Sequence, residues 1–167
     1  MQPEQIHGIA QFLLDGIERE TQTTRKVIAV IPDGNSDYRP DPKARSAREL
    51  AWHIVFSDVW FLDSIAKSSF PMEQETIPEG VRTIADMNAW YEKNMAAGIE
   101  SARGLSAGHL AKPVEFFGMF NMPVGLYLDF LNNHMIHHRG QLSTYLRPMG
   151  SKVPSIYGGS ADEPMNM

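Results

Sequence analysis

The 167-residue chain contains no cysteine. Disulfide bonds, thiolate metal sites and catalytic cysteines are therefore excluded as features of the chain itself. Any nucleophilic thiol in a reaction of this protein must arrive with a substrate. A reducing cytoplasm suits this composition, and we expect the protein to be cytoplasmic.

The sequence also has little positive charge, because 15 Lys and Arg stand against 20 Asp and Glu, for a net charge of −5. Nucleic-acid binding draws most of its affinity from clustered basic residues, and those here are scattered, so we expect no nucleic-acid partner. Charged residues interrupt every apolar run well before about 18 residues, and the N-terminus lacks a basic region followed by an apolar one. We therefore expect neither a signal peptide nor a membrane span.

What the chain does contain is enough apolar sequence for one core. Hydrophobic residues make up 43% and charged residues 21%, close to the globular average. This length supports one full core and is short for two domains. Because helical periodicity dominates and no long strand alternation is found, we predict one all-α domain over residues 1–167, built as a four-helix bundle.

Two helices are predicted in the first half. The first has Pro3 in its first turn, runs for about 25 residues and ends before Pro32. Its apolar stripe consists of Ile6, Ile9, Leu13, Ile17, Thr24, Val27, Ile28 and Ile31. The second begins at the capping box that starts with Ser46 and ends near residue 67. Long connections follow both helices, at 32–45 and 68–82.

Two further helices are predicted in the second half. The third is capped by Thr83 and extends to Leu105. Periodicity then fails over 108–121, where we expect an irregular loop or a short hairpin. The fourth helix is capped by Asn121, has Pro123 in its first turn and ends at Pro148, and an irregular tail covers 151–167.

Histidines on the second and fourth helices form the clearest chemical pattern. His134 and His138 are four residues apart, so they project from one helix face with Cβ atoms roughly 5–6 Å apart. His53 points inward on the buried second helix. Three imidazoles would leave one tetrahedral position open, as in catalytic zinc sites. The competing interpretation is three hydrogen-bonded core histidines.

Neighbouring residues leave alternatives open. His137 could pair with His134 instead, but it lies about 60° from His134 on the side away from the core stripe, so we interpret it as an interface or supporting residue. Two positions are predicted for Arg139: at a solvated surface, or in contact with an anion or an interface. Gly140 costs about 1 kcal/mol inside a helix, so we expect another helix to approach it, within the bundle or across a dimer interface. Gln141 points with His138 and could hydrogen-bond a ligand or a substrate.

The other histidines and two aspartates of the second helix are weaker candidates for site residues, because no spacing motif links them. His7 and His109 are isolated, and we expect them to be exposed. Asp58 and Asp63 lie on other faces of the second helix, where we expect them to be solvated or hydrogen-bonded to the neighbouring helix. A carboxylate ligand to the metal is the minor alternative.

The fourth helix and the segment after it resemble the C-terminal signature of the DinB family. The resemblance is carried by His134–Leu142, Tyr145–Gly150 and Pro154–Gly158, and it extends loosely over the whole chain. It implies a four-helix bundle with up-down-down-up connectivity and commonly a homodimer. It also implies one divalent metal per chain, with the ligands His53, His134 and His138.

The resemblance implies a function as well, since better-understood relatives are transferases or isomerases that use a small thiol such as bacillithiol, mycothiol or glutathione. We therefore expect a metal-dependent enzyme that activates a small thiol for transfer to an electrophile, with zinc or nickel as the metal and iron or copper as alternatives. Tyr127, Gln141 and Tyr145 are the candidates for orienting the second substrate. A metal-dependent hydrolase and a non-catalytic, stress-related metal-binding protein are the two alternative functions.

Overall fold

The structure is a computed structural model that describes residues 1–165, and it is mostly helical. The four long helices are α1 (Pro3–Ala29), α2 (Ala47–Lys67), α3 (Ile84–Arg103) and α5 (Tyr127–Leu146). Between α3 and α5 lie a short helix, α4 (Ala107–Leu110), and a hairpin of β1 (Pro113–Phe116) and β2 (Phe120–Pro123). The predicted predominance of helix is confirmed, with a small sheet added.

Local sequence determines where α2 and α3 begin. The Ser46 hydroxyl accepts the backbone N–H of Glu49, whose carboxylate accepts the N–H of Ser46 in return. Thr83 and Asp86 form the same reciprocal pair at α3. These bonds satisfy amide groups that have no partner within the helix. Both predicted starts are confirmed, and α2 ends at Lys67 as predicted.

Helix α1 begins at Pro3 as predicted, and six of the eight positions in its predicted stripe are buried, but two positions differ. Ala10 and Leu14 are fully buried, whereas Ile9 is 37% exposed and Leu13 is partly buried. α1 contacts both α3 and α5. The positions of those two neighbours, rather than the local apolar pattern, decide which adjacent residue faces the core.

The last long helix begins later than predicted. Asn121 and Pro123 belong to β2 and are not the cap and first turn of a helix, and a 3₁₀ turn at Val124–Leu126 leads into α5. β2 pairs antiparallel with β1, with Val114 opposite Met122. The backbone of 120–123 is therefore engaged in cross-strand pairing. Of the two alternatives for 108–121, the short hairpin is confirmed, whereas α4 was not predicted.

The four long helices contact one another in the cyclic order α1, α3, α2, α5. Because α2 and α5 are direct neighbours, their facing sides bring residues of the middle and the end of the chain together. The up-down-down-up direction of the helices stays a prediction. Within residues 1–165, no helix combines the length and the apolarity needed to cross a bilayer.

The segment after α5 is irregular, as predicted, and lies against the bundle. The Ser151 hydroxyl donates to the carbonyl of Val30 at 2.6 Å. The Tyr157 hydroxyl donates to Glu20 at 2.9 Å and accepts from Arg139 at 2.6 Å. The last two residues of the predicted tail, 166 and 167, lie outside the described residues.

Candidate metal centre

Three histidines converge where α2 meets α5. One ring nitrogen each of His53, His134 and His138 lies within 4.8 Å of the other two. The ring centroids are 5.1 Å apart for His53 and His134, 4.6 Å for His53 and His138, and 4.4 Å for His134 and His138. The spacing of four residues puts two of the rings on one face of α5, and the packing of α2 on α5 supplies the third.

The spacing of the nitrogens suits ligands of a single metal ion. The Nε2 atoms of His53 and His134 are 3.3 Å apart. Two nitrogens that each lie about 2.0–2.1 Å from a tetrahedral zinc ion are separated by about 3.3–3.4 Å. The His53–His134 pair therefore matches two ligands of one tetrahedral ion, and the nitrogen of His138 lies within 4.8 Å of both.

Each of these histidines has its Nδ1 atom directed at a side-chain oxygen. The Nδ1–oxygen pairs are His53 with Glu75 at 2.7 Å, His138 with Gln141 at 3.1 Å and His134 with Asp58 at 3.6 Å. An oxygen acceptor favours the tautomer that carries its proton on Nδ1. The Nε2 lone pairs of His53 and His138 are then available to a metal, as in metal sites supported by a second layer of hydrogen bonds.

Asp58 is a fully buried carboxyl group directly behind His134. One of its oxygens accepts a hydrogen bond from the Tyr91 hydroxyl at 2.6 Å, and the other has no partner among the described residues. Burial raises the pKa of Asp58, although His134 and Tyr91 oppose the shift. A buried carboxylate is costly unless it is compensated. A cation held by the three histidines would provide that compensation.

Glu75 lies on the long connection between α2 and α3 and supports His53. Its carboxylate also pairs with Arg45, at 2.5 Å. Burial acts to raise the pKa of Glu75, but the hydrogen bonds from Arg45 and His53 outweigh it, and the pKa lies below its usual value. The carboxylate is therefore ionised at neutral pH. Sequence patterns missed it because this connection has no periodicity.

Two of the converging histidines, one on each helix, favour the neutral form. Burial lowers the pKa of His53 despite its hydrogen bond to Glu75. Burial also lowers the pKa of His138 to about 4, although the hydrogen bond to Gln141 opposes the shift. Because a metal binds the neutral imidazole, both rings are ready for coordination at neutral pH without losing a proton.

Comparison with known proteins supports the resemblance seen in the sequence, since the model of the DinB family matches residues 9–165. The chain belongs to the DinB family. It is 29% identical over 149 residues to the uncharacterized protein YrdA of Bacillus subtilis strain 168, covering 87% of this chain and 86% of the relative. It is 27% identical over 139 residues to the uncharacterized protein YjoA of the same organism, covering 80% and 86%.

Solved structures share the fold of this DinB chain. A DinB-like protein from Bacillus cereus ATCC 10987 superposes with a TM-score of 0.72 at 28% identity, over 87% of this chain and 95% of the other. The DinB-like protein YjoA from Bacillus subtilis superposes with a TM-score of 0.69 at 21% identity, over 85% and 95%. The fold of the family is thus shown over most of the chain.

Of the three residues predicted to orient a second substrate, only Gln141 contacts one of the three converging histidines of this DinB chain. The buried Tyr127 hydroxyl donates to the carbonyl of Val114 at 2.8 Å in the hairpin, and burial raises its pKa. Tyr145 is buried and packs edge-to-face against Tyr38, with centroids 6.0 Å apart. Each tyrosine is seven residues from the nearest ligand on α5, about 10 Å along the helix axis.

The residues around His138 divide between two environments. His137 is exposed, on the outward side where its helical phase predicted it. Arg139, by contrast, is only 1% exposed and pairs with Glu20 on α1. The alternative that placed Arg139 at a solvated surface is therefore wrong. Within residues 1–165, a Cβ atom on Gly140 would meet no atom within 4 Å beyond its own helical turn, so the close approach expected within the bundle is also wrong.

Two isolated histidines are less exposed than predicted. The Nε2 atom of His109 lies 2.9 Å from the carbonyl of Ile65 and 3.2 Å from the hydroxyl of Ser68. It therefore caps the end of α2, where backbone carbonyls lack helical partners. His7 is partly buried beside Gln11, with 3.4 Å between their side-chain nitrogens. Neither belongs to the three-histidine cluster.

Proposed function

We propose that this DinB protein is a metal-dependent enzyme that activates a small cellular thiol for transfer to an electrophile. The observation that carries the proposal is the convergence of His53, His134 and His138, with one nitrogen of each within 4.8 Å of the others. Three imidazoles suit zinc or nickel, with iron or copper as alternatives. Three ligands also leave a position at which a substrate can bind.

The chain's own residues hold and orient this centre. Glu75 and Gln141 fix the rings of His53 and His138 through their Nδ1 atoms. A bound divalent metal would lower the pKa of a coordinated thiol, so that its nucleophilic thiolate form predominates at neutral pH. Because the chain has no cysteine, an electrophile meets no competing thiol of the protein.

The proposed transfer is a substitution at carbon. The thiol gives up its proton to solvent, its sulfur forms a bond to the electrophilic carbon, and that carbon releases its leaving group with the bonding electron pair. Membership of the DinB family supports this reaction class, since thiol-dependent transferases are the relatives that the resemblance implies. The partly buried histidine cluster limits access of water to the reacting atoms.

A screen of electrophiles against a panel of thiols tests the proposal, with metal content quantified for every sample. We expect turnover that requires both metal and thiol, lost in His134→Ala and retained in the matched control His137→Ala. Cleavage without thiol would instead favour a hydrolase, and bound metal without turnover would favour a non-catalytic metal-binding protein. Absence of metal after reconstitution would refute all three functions.

We further propose a cytoplasmic homodimer in which the outward side of α5 packs against a second copy of the chain. His137 and Gly140 are three residues apart and both exposed, so they share that side of the helix. Because no described residue beyond the helical turn of Gly140 approaches its open side, there is room for a partner helix. The small-molecule substrates would bind on the opposite side of α5, at the histidines.

A further inference from the structure

A group of exposed aromatic side chains lies near the three histidines, and we call Phe117, Phe120 and Phe130 the aromatic surface. These rings are 41%, 45% and 37% exposed, respectively. The buried ring of Phe116 joins them, with centroid distances of 4.8 Å to Phe117, 6.4 Å to Phe120 and 5.5 Å to Phe130. Phe120 and Phe130 also contact each other, at 6.0 Å. The hairpin and α5 thus present one continuous apolar patch.

The aromatic surface is continuous with the metal centre. Phe130 precedes His134 by four residues on α5, so the two side chains share a helix face about one turn apart. The buried ring of Phe61 contacts both, with centroids 5.7 Å from Phe130 and 5.9 Å from His134. A molecule that reaches the histidines can therefore place an attached group on the ring of Phe130.

The hairpin tip keeps an exposed ring in a backbone conformation that does not favour it. Phe117 has a φ of 50°. This value lies in the left-handed region, which bulky L-residues disfavour and which glycine and asparagine adopt more readily. Its ring lies nearly parallel to that of Trp60, at 8° and 6.4 Å between centroids. Core packing does not require a ring that is 41% exposed. Strained, exposed residues of this kind concentrate at ligand sites.

The patch is too small to be a stable dimer interface by itself. A phenylalanine side chain buries up to about 200 Å², so three rings exposed by roughly two-fifths offer roughly 250 Å² for a new contact. A stable interface needs about 800 Å² on each partner. The area instead matches one aryl or alkyl group of a small molecule.

We infer that the aromatic surface is a substrate subsite for an aryl or alkyl group carried by the electrophile. The inference rests on the proposed function, because it assigns the second substrate of the same centre. Apolar area removed from water, together with tilted ring contacts at 4.5–7 Å, supplies the affinity. Phe130 is the specificity-determining residue, because it is the exposed ring nearest to His134 along α5.

Two metal-binding compounds that differ by one phenyl ring test the subsite. Acetohydroxamate and phenylacetohydroxamate are titrated into the zinc-loaded full chain by calorimetry. We expect phenylacetohydroxamate to bind about tenfold more tightly. Phe130→Ala should reduce that ratio to about two, and Phe130→Leu should give an intermediate ratio because it retains apolar area without the ring. Phe12→Ala is the matched control, since Phe12 is 72% exposed on α1, and it should keep the full ratio.

Equal affinity for the two compounds, binding of neither, or a full phenyl preference in Phe130→Ala would overturn the subsite. So would a Phe130→Ala variant that changes only the mass of the protein in solution, because the patch would then be an interface between copies. A phenyl preference that depends on Phe130, in a protein without thiol-dependent turnover, would refute the thiol reaction and still support the subsite. The two proposals therefore fail separately.

Discussion

The Oδ1 atom of Asp58 lies 3.6 Å from the Nδ1 atom of His134, and neither atom has a hydrogen-bond partner within residues 1–165. The separation is longer than a normal hydrogen bond. A positive charge at the Nε2 side of the ring would make Nδ1–H a stronger donor and strengthen this contact. A metal held by the three histidines would therefore be coupled to Asp58, although this carboxyl group lies too deep in the bundle to reach solvent.

We predict that Asp58→Asn weakens metal binding about 10- to 100-fold, the usual effect of losing a carboxylate behind a ligand histidine. The amide retains an oxygen for the bond from Tyr91, so the fold should persist. Competition with a chelator measures the affinity. Asp63→Asn is the matched control, because Asp63 is on the same helix but pairs with Lys67 at the surface. Equal affinities of the two variants would contradict the role given to Asp58.

Substitution should distinguish the histidines that bind the metal from His137, which we expect not to bind it. His138→Ala should abolish tight metal binding, because two ligands cannot close the site, whereas His137→Ala should retain it. A metal at about a thousand times its Kd stabilises the folded state by roughly 4 kcal/mol. Thermal unfolding with and without metal should therefore show a large shift for His137→Ala and little shift for His138→Ala, His134→Ala or His53→Ala. The reverse result would make His134 and His137 the ligand pair on α5.

The metal-free protein should lose stability on acidification between pH 6.5 and about 4. The pKa of His138 is 6.5 in an exposed chain and about 4 in the folded protein. Within this window the unfolded chain binds a proton that the folded protein does not, so the free energy of unfolding falls as the pH falls, and the stability is fully present above pH 6.5.

Urea unfolding in the presence of a chelator, at several pH values, measures this dependence. His138→Ala should show a shallower slope than the parent protein over the window, because it lacks the titrating group. Indistinguishable slopes for the parent and His138→Ala would show that burial of His138 does not contribute.

Assembly is testable through two glycines that face open space. Among the described residues, a Cβ atom at Gly16 or at Gly140 would meet nothing within 4 Å beyond its own helical turn. We predict by light scattering a mass near twice the chain mass of 18.8 kDa for the parent. Gly140→Leu should shift the mass toward the monomer by blocking helix approach, and Gly16→Leu should not. A parent mass near 18.8 kDa at every concentration would refute the dimer.

Sequence by itself determined the features that depend on neighbours within a turn or two. The capping boxes at Ser46 and Thr83 set the starts of α2 and α3, because their hydrogen bonds close within three residues. The helical phase placed His134 and His138 on one face and His137 outside, because 3.6 residues make a turn whatever the tertiary fold. The presence of a hairpin was among the predicted alternatives, but its pairing was not, and that pairing moved the start of α5 to Tyr127.

Only the tertiary structure decided which polar side chains are buried and what they support. Arg139 reads as a surface residue because its partner Glu20 is 119 positions away on α1. Tyr91 and Asp58 are 33 positions apart, and Glu75 reaches His53 from a connection that has no periodicity. The burial of a charged group depends on partners from other parts of the chain. Local sequence patterns do not predict which distant residues will become those partners. The helix pattern could therefore suggest the three histidines and the neighbouring Gln141, whereas the support given by Asp58 and Glu75 became visible only in the packed structure.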